Sequence, residues 1–84
     1  MLSGLAEVDP SCPVFAYVQV ADILTAGIQA GQITGKLPAE RELAAALGVS
    51  YVTLRRAIGL LRERGLVVTL HGRGNFVTHL TPPS

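Results

Sequence analysis

Apolar residues between about Val14 and Ala30 recur at spacings of three and four: Tyr17, Val20, Ala21, Leu24 and Ile28 fall on one stripe. That period is the signature of an amphipathic helix with its stripe turned toward a core. Phe15, Val18 and Ile23 lie off the stripe and form a second apolar surface, a candidate patch for a partner. A shorter helix is expected at about Ala39 to Leu47, where Leu43, Ala44 and Leu47 share a face and Gly48 supplies a left-handed stop. Ser50 is placed to accept hydrogen bonds from the free amides of a third helix, Tyr51 to Arg64, which Gly65 ends. Its buried stripe is expected to be Leu54, Ala57, Ile58 and Leu61.

The period then changes. Leu66 to Leu70 is rich in β-branched residues, His71-Gly72-Arg73-Gly74 is a glycine-bearing turn, and Asn75 to Thr78 reads as a second short strand, so a hairpin is expected. Between the first two helices, Gly35-Lys36-Leu37-Pro38 leaves room for no more than a strand stub. Met1 to Pro13 shows no sustained period. The expected organisation is a flexible arm over residues 1–13, one folded unit over 14–79 and a disordered tail over 80–84. Two helices joined by Gly48-Val49-Ser50 and followed by a hairpin define the fold class: α+β, mostly α, a winged helix-turn-helix of three helices plus a C-terminal β-hairpin wing.

Composition narrows the chemistry. The 84 residues, 49% of them hydrophobic and 15% charged, suffice for one compact domain and leave no room for a deep, loop-walled enzyme pocket. A single cysteine, Cys12, excludes an internal disulfide and a multi-cysteine zinc site. His71 and His79 are the only histidines and lack carboxylate or thiolate neighbours, and Gly72-Arg73-Gly74 lacks the strand-to-helix setting of a nucleotide fingerprint. Neither an enzyme, nor a metal site, nor a cofactor is expected. The first basic residue is Lys36, so no secretory signal is expected at the start. Pro13 to Gly31 carries one charge, Asp22, yet Gln19, Asp22 and Gln29 interrupt it at helical spacing, so it reads as a soluble helix rather than a membrane span. A cytoplasmic, nucleoid-associated protein is the corresponding expectation.

The net charge of +1 hides an asymmetry: residues before Arg41 sum to −3, and those from Arg41 onward sum to +4, with six arginines against Glu42 and Glu63. Arginine suits planar, bidentate recognition of phosphates and guanine edges. At 100° per residue, Tyr51, Arg55 and Arg62 lie on one flank of the third helix's buried stripe and Val52, Arg56 and Glu63 on the other. The first two turns thus offer Tyr51, Val52, Thr53, Arg55 and Arg56 to a DNA groove. Arg55 and Arg56 are candidates for guanine O6 and N7, Val52 for a thymine methyl, and Ser50, Tyr51 and Thr53 for phosphates or base edges. Taken singly, each arginine is an ordinary solvated surface group.

Several motifs in order carry a family resemblance: Leu37-Pro38-Ala39-Glu40-Arg41-Glu42-Leu43-Ala44, Leu47-Gly48-Val49-Ser50, Leu54-Arg55-Arg56-Ala57, Gly65-Leu66-Val67 and Gly72-Arg73-Gly74-Asn75-Phe76-Val77. With Tyr17 to Asp22 upstream, the chain from about Val14 to Val77 resembles the DNA-binding domain of the GntR family of bacterial transcription regulators. The resemblance implies a regulator, a repressor by promoter occlusion, that binds a double-stranded, inverted-repeat operator as a homodimer. It places phosphate and base contacts on Arg41, on Ser50, Tyr51, Thr53 and Arg55, and on His71, Gly72 and Arg73 in the wing.

Three local departures qualify the resemblance. Ala39 stands where the family usually has serine, so the capping box that Glu42 would complete lacks its hydroxyl. Tyr51 stands where many members carry arginine, which implies a different operator sequence. The segment between Gly31 and Leu37 is shorter than usual. Family members also continue past the wing into a ligand-binding and oligomerisation domain, whereas seven residues, Thr78 to Ser84, follow Val77 here, so the chain is either a fragment or a small protein that dimerises through its own surface. Phe15, Val18 and Ile23 are the candidates for that surface. The same patch supports an alternative, a winged-helix protein-interaction module with weak or partner-dependent DNA binding.

Overall fold

The computed structural model describes residues 15–78. The expected arm, 1–13, and tail, 80–84, lie outside the described residues, as do Cys12 and His79. The described order is α1 (Ala16–Gln29), α2 (Glu40–Leu47), α3 (Tyr51–Glu63), β1 (Val67–Leu70) and β2 (Gly74–Val77). This is the expected three-helix, single-hairpin architecture.

The central element is α3, which packs against α1, α2 and β1. Its stripe of Leu54, Ala57, Ile58 and Leu61 is buried, as expected. Leu43, Ala44 and Leu47 of α2 and Val20, Ala21 and Leu24 of α1 close the core around it. Tyr17 and Ile28, expected on the α1 stripe, are only half-buried, and Gly27 is buried in that region instead. The reason lies in the connector. The amides of Gln32 and Ile33 donate to the Gly27 carbonyl at 2.9 and 3.2 Å, which folds the chain back over the end of α1 and drives Ile33 into the core. Leu37 follows it there.

α2 ends at Gly48, whose φ of 73° is costly for any residue with a Cβ. The amides of Gly48 and Val49 donate back to the carbonyls of Ala45 and Ala44, closing the helix. Ser50 then caps α3, its Oγ accepting from the Thr53 amide at 3.1 Å, and the axes of α2 and α3 meet at 105°. That angle falls in the range of a helix-turn-helix.

The hairpin pairs Val67 with Val77, Val68 with Phe76, Thr69 with Asn75 and Leu70 with Gly74. The strand stub is also used: Lys36 bridges Phe76, the Leu37 amide donates to the Asn75 carbonyl and the Val77 amide to the Gly35 carbonyl. These bonds give β2 a second neighbour and tie the wing to the entrance of α2. At the far end of α3, Arg64 bonds Asp22 at 3.0 Å and Thr25 at 2.9 Å, clamping α3 to α1. No single helix among the described residues is long and apolar enough to cross a membrane.

The N-cap of α2 is Ala39, which makes no side-chain cap bond, although Glu40 and Glu42 occupy the first turn. Serine at this position would complete a capping box with Glu42. Ala39→Ser is therefore expected to stabilise the chain by about 1 kcal/mol, read as a raised urea midpoint at unchanged slope. An unchanged or lowered midpoint would contradict this reading of the α2 start.

Candidate nucleic-acid interface

The apolar stripe of α3 fixes its rotation, so residues off the stripe at its N-terminal end face outward. Val52 is 67% exposed there. Ser50 and Thr53 are joined at the cap, where the Ser50 hydroxyl donates to Thr53 Oγ1 at 2.9 Å. Tyr51, the first residue of the helix, is half-buried, and its ring faces two guanidinium groups: the Arg41 carbon lies 4.2 Å from the ring centroid and the Arg55 carbon 5.8 Å. Both distances fall within cation–π range.

Arg55 has an exposed side chain whose Nε lies 3.8 Å from Glu40 Oε1. The contact engages the stem side of the guanidinium, and neither terminal nitrogen has a hydrogen bond among the described residues. Glu40 is in turn held by the wing. Its Oε2 accepts from Asn75 Nδ2 at 2.8 Å, Asn75 Oδ1 accepts from the Thr69 hydroxyl at 2.6 Å, and Thr69 Oγ1 accepts from Arg62 at 2.9 Å. Asn75 is the buried polar residue of this chain of contacts, at 5% exposure. A buried amide stays soluble in a core only when its donors and acceptors are matched, and here every buried side-chain polar atom among the described residues has a partner. The network therefore couples the wing, the start of α2 and the flank of α3.

His71, Gly72 and Arg73 form the exposed wing turn, closed by the Arg73 amide donating to the Leu70 carbonyl at 2.9 Å. Gly74 has a φ of 111°, and a Cβ there would meet Lys36 Cε at 3.2 Å. Between the wing and α3 lies an open concavity of about 550 Å³, with Arg41, Tyr51 and Arg55 on one side and His71, Gly72 and Arg73 on the other. Lys36 and Asn75 also line it.

The structure thus gathers six of the ten sequence-identified candidates around one concavity. Ser50, the N-cap of α3, and exposed Val52 are not among the residues that line it. Arg56 and Thr53 turn elsewhere: they line a second hollow of about 280 Å³ with Phe15 and Tyr17, and the Arg56 carbon sits 4.3 Å from the Tyr17 ring centroid. Of the proposed partner-binding residues, Phe15 is 75% exposed and stacks on Tyr17 at 6.2 Å, Val18 is half-buried, and Ile23 packs against the core. Sequence reasoning missed Lys36, Glu40, Thr69 and Asn75. The signals were slight: Lys36 is the lone cation before Arg41, and Asn75 is a polar residue at an inward strand position. Among the described residues no group of three His, Cys, Asp or Glu side chains is placed to hold a metal ion.

Comparison with known proteins places these features in context. The family model described as "Bacterial regulatory proteins, gntR family" matches residues 16–77. The HTH-type transcriptional regulator SmoD of Agrobacterium fabrum is 38% identical over 69 residues, covering 80% of this chain and 30% of SmoD. The HTH-type transcriptional repressor NagR of Bacillus subtilis is 36% identical over 74 residues, covering 86% of this chain and 30% of NagR. Among solved structures, AraR(DBD) in complex with operator ORX1 superposes with a TM-score of 0.73 at 36% identity, covering 87% of this chain and 96% of that one. The chain spans about 30% of the length of the curated relatives it matches.

The buried amide provides a direct check on the network. Asn75→Ala leaves the Glu40 carboxylate and the Thr69 hydroxyl without a shared partner, and is expected to cost about 1–3 kcal/mol of stability in urea unfolding. A loss within error of zero would show that the network does not hold the wing.

Proposed function

The chain belongs to the GntR family of bacterial regulatory proteins, and from that premise we propose that it is a sequence-specific, double-stranded-DNA-binding transcription regulator, a repressor that occludes its promoter. The observation that carries the reading is the concavity between α3 and the wing, which gathers Arg41, Tyr51 and Arg55 opposite His71, Gly72 and Arg73. A B-DNA major groove about 12 Å wide admits the start of a helix. With α3 in that groove, Arg55 presents its terminal nitrogens to guanine O6 and N7, and exposed Val52 meets a thymine methyl. Arg41 and Ser50 bind phosphates, while Thr53 and Arg56, which line the hollow beside Tyr17 on the other flank of α3, contact the DNA from that side, Thr53 at a phosphate or base edge and Arg56 as the alternative to Arg55 for guanine. The wing turn rests on the adjacent backbone or in the minor groove. The DNA-binding unit spans residues 14–79.

One copy that neutralises about four phosphates would show a log–log salt slope of roughly −3.6, weak binding at cellular salt. Two copies on an inverted repeat double the contacts, so the acting species is a homodimer, with Phe15, Val18 and Ile23 as its candidate surface, of which Phe15 is the exposed member. The same exposure of Phe15 favours a second reading, a module that docks a protein partner and binds DNA with its help. The chain acts in the cytoplasm, on the nucleoid, by binding and without catalysis.

Selection of duplexes from a random pool, followed by titration at two salt concentrations, tests the proposal. An inverted repeat with half-sites about one helical turn apart is the expected product. On that duplex Arg55→Ala should cost about 1–3 kcal/mol and relax specificity, whereas Arg41→Ala should weaken all sequences alike and make the salt slope shallower by about 1. No enrichment, with binding lost at physiological salt, would overturn the proposal in favour of the partner-dependent reading.

A further inference from the structure

We propose that Tyr51 is a positioning residue whose ring acts as an aromatic platform, holding the Arg41 and Arg55 guanidinium groups in place before DNA arrives. The proposal rests on the DNA-binding reading above and assigns Tyr51 a role different from the hydroxyl contact that helical position alone suggests.

The geometry supports the platform in three ways. Arg41 comes from α2 and Arg55 from α3, yet both guanidinium carbons lie within 6 Å of the Tyr51 ring centroid, at 4.2 and 5.8 Å. The ring face carries negative potential and attracts both cations. Tyr51 is half-buried while both arginines are exposed, so the ring is the fixed partner and the arginines are the groups it restrains. The Tyr51 hydroxyl forms no hydrogen bond among the described residues, so nothing but the ring is engaged.

The charges around the ring explain why a platform is useful. Arg41 and Arg55 would repel each other across open solvent, and the carboxylate that contacts one of them, Glu40 at 3.8 Å from Arg55, is shared with Asn75. The Tyr51 ring attracts both cations and so offsets part of that repulsion without adding a charge; an arginine at position 51 would add a third cation to the cluster. Long exposed side chains also lose rotamer freedom on docking, and a side chain already stacked loses less. The arrangement recurs on the other flank of α3, where Arg56 lies over Tyr17 at 4.3 Å. Both tyrosines of the chain thus carry an arginine.

Two readouts on the whole chain test the inference. In the free protein, the side-chain proton resonances of Arg41 and Arg55 should be displaced upfield by the Tyr51 ring current, unchanged in direction in Tyr51→Phe and lost in Tyr51→Leu. With the duplex enriched by the wild-type chain as probe, and an unrelated duplex of equal length as reference, Tyr51→Leu should weaken specific binding by about 5- to 20-fold, because each arginine–ring pair contributes about a 2- to 5-fold effect. Tyr51→Phe should recover that loss to within about twofold, since it keeps the ring and drops only the hydroxyl. Absent upfield shifts in the wild type would overturn the platform, as would a Tyr51→Phe variant as weak as Tyr51→Leu. If the wild type enriches no duplex, the DNA-binding reading fails and the role assigned to the platform fails with it, while the free-protein spectra still report separately whether the stacking exists.

Discussion

Burial of one face of α3 is the constraint from which the other features follow. Leu54, Ala57, Ile58 and Leu61 are at most 1% exposed, and α1, α2 and β1 cover them from three directions. Burying a large aliphatic side chain contributes about 1.5–3 kcal/mol, so rotating α3 out of this nest would forfeit much of the stability available to so small a domain. With rotation fixed, the residues left facing solvent at the N-terminal turn are also fixed. Val52 and Arg55 are exposed because Leu54 and Ala57 are not. A helix used for recognition needs this rigidity, since a side chain that must meet a base edge gains little from a backbone free to roll.

A second constraint sets where the wing stands relative to that helix. The two strands of the hairpin alone would be marginal in water. Here β2 also pairs with the segment from Gly35 to Leu37, and the buried Asn75 joins Thr69 on the neighbouring strand to Glu40 at the start of α2. Glu40 then faces Arg55. One polar chain thus runs from the wing through α2 to the flank of α3, and the concavity between them has walls whose separation is set by hydrogen bonds. The cations are assembled by the fold rather than by proximity in sequence: Arg41, Arg55 and Arg73 come from three different elements.

The parts legible in the sequence were those governed by local periodicity and by single-residue backbone chemistry. The stripes of α2 and α3, the left-handed stop at Gly48 and the cap at Ser50 each depend on residues within a turn or two of one another. The α1 stripe was read less well, because Tyr17 and Ile28 sit at its ends while the connector returns through Ile33 to cover Gly27. The core roles of Ile33 and Leu37 could not be read from period, since each lies in a segment too short to have one. Long-range polar partners were illegible for the same reason: Asn75 and Glu40 are 35 residues apart. The charge count misled in one respect. Arg62 and Arg64 belong to the basic half, yet Arg62 supports Thr69 and Arg64 clamps Asp22 and Thr25, so the cations that face the concavity are fewer than the arginines in that half.

The central claim is that α3 and the wing turn engage DNA together as one surface. Mapping backbone amide shifts of the isotope-labelled chain during titration with a selected duplex tests it most directly. The account predicts the largest changes over residues 50–56 and 71–73, developing at the same DNA concentration, with little change near the Asp22–Arg64 clamp. Changes confined to Phe15 and the exposed face of α1, with residues 50–56 undisturbed, would contradict it.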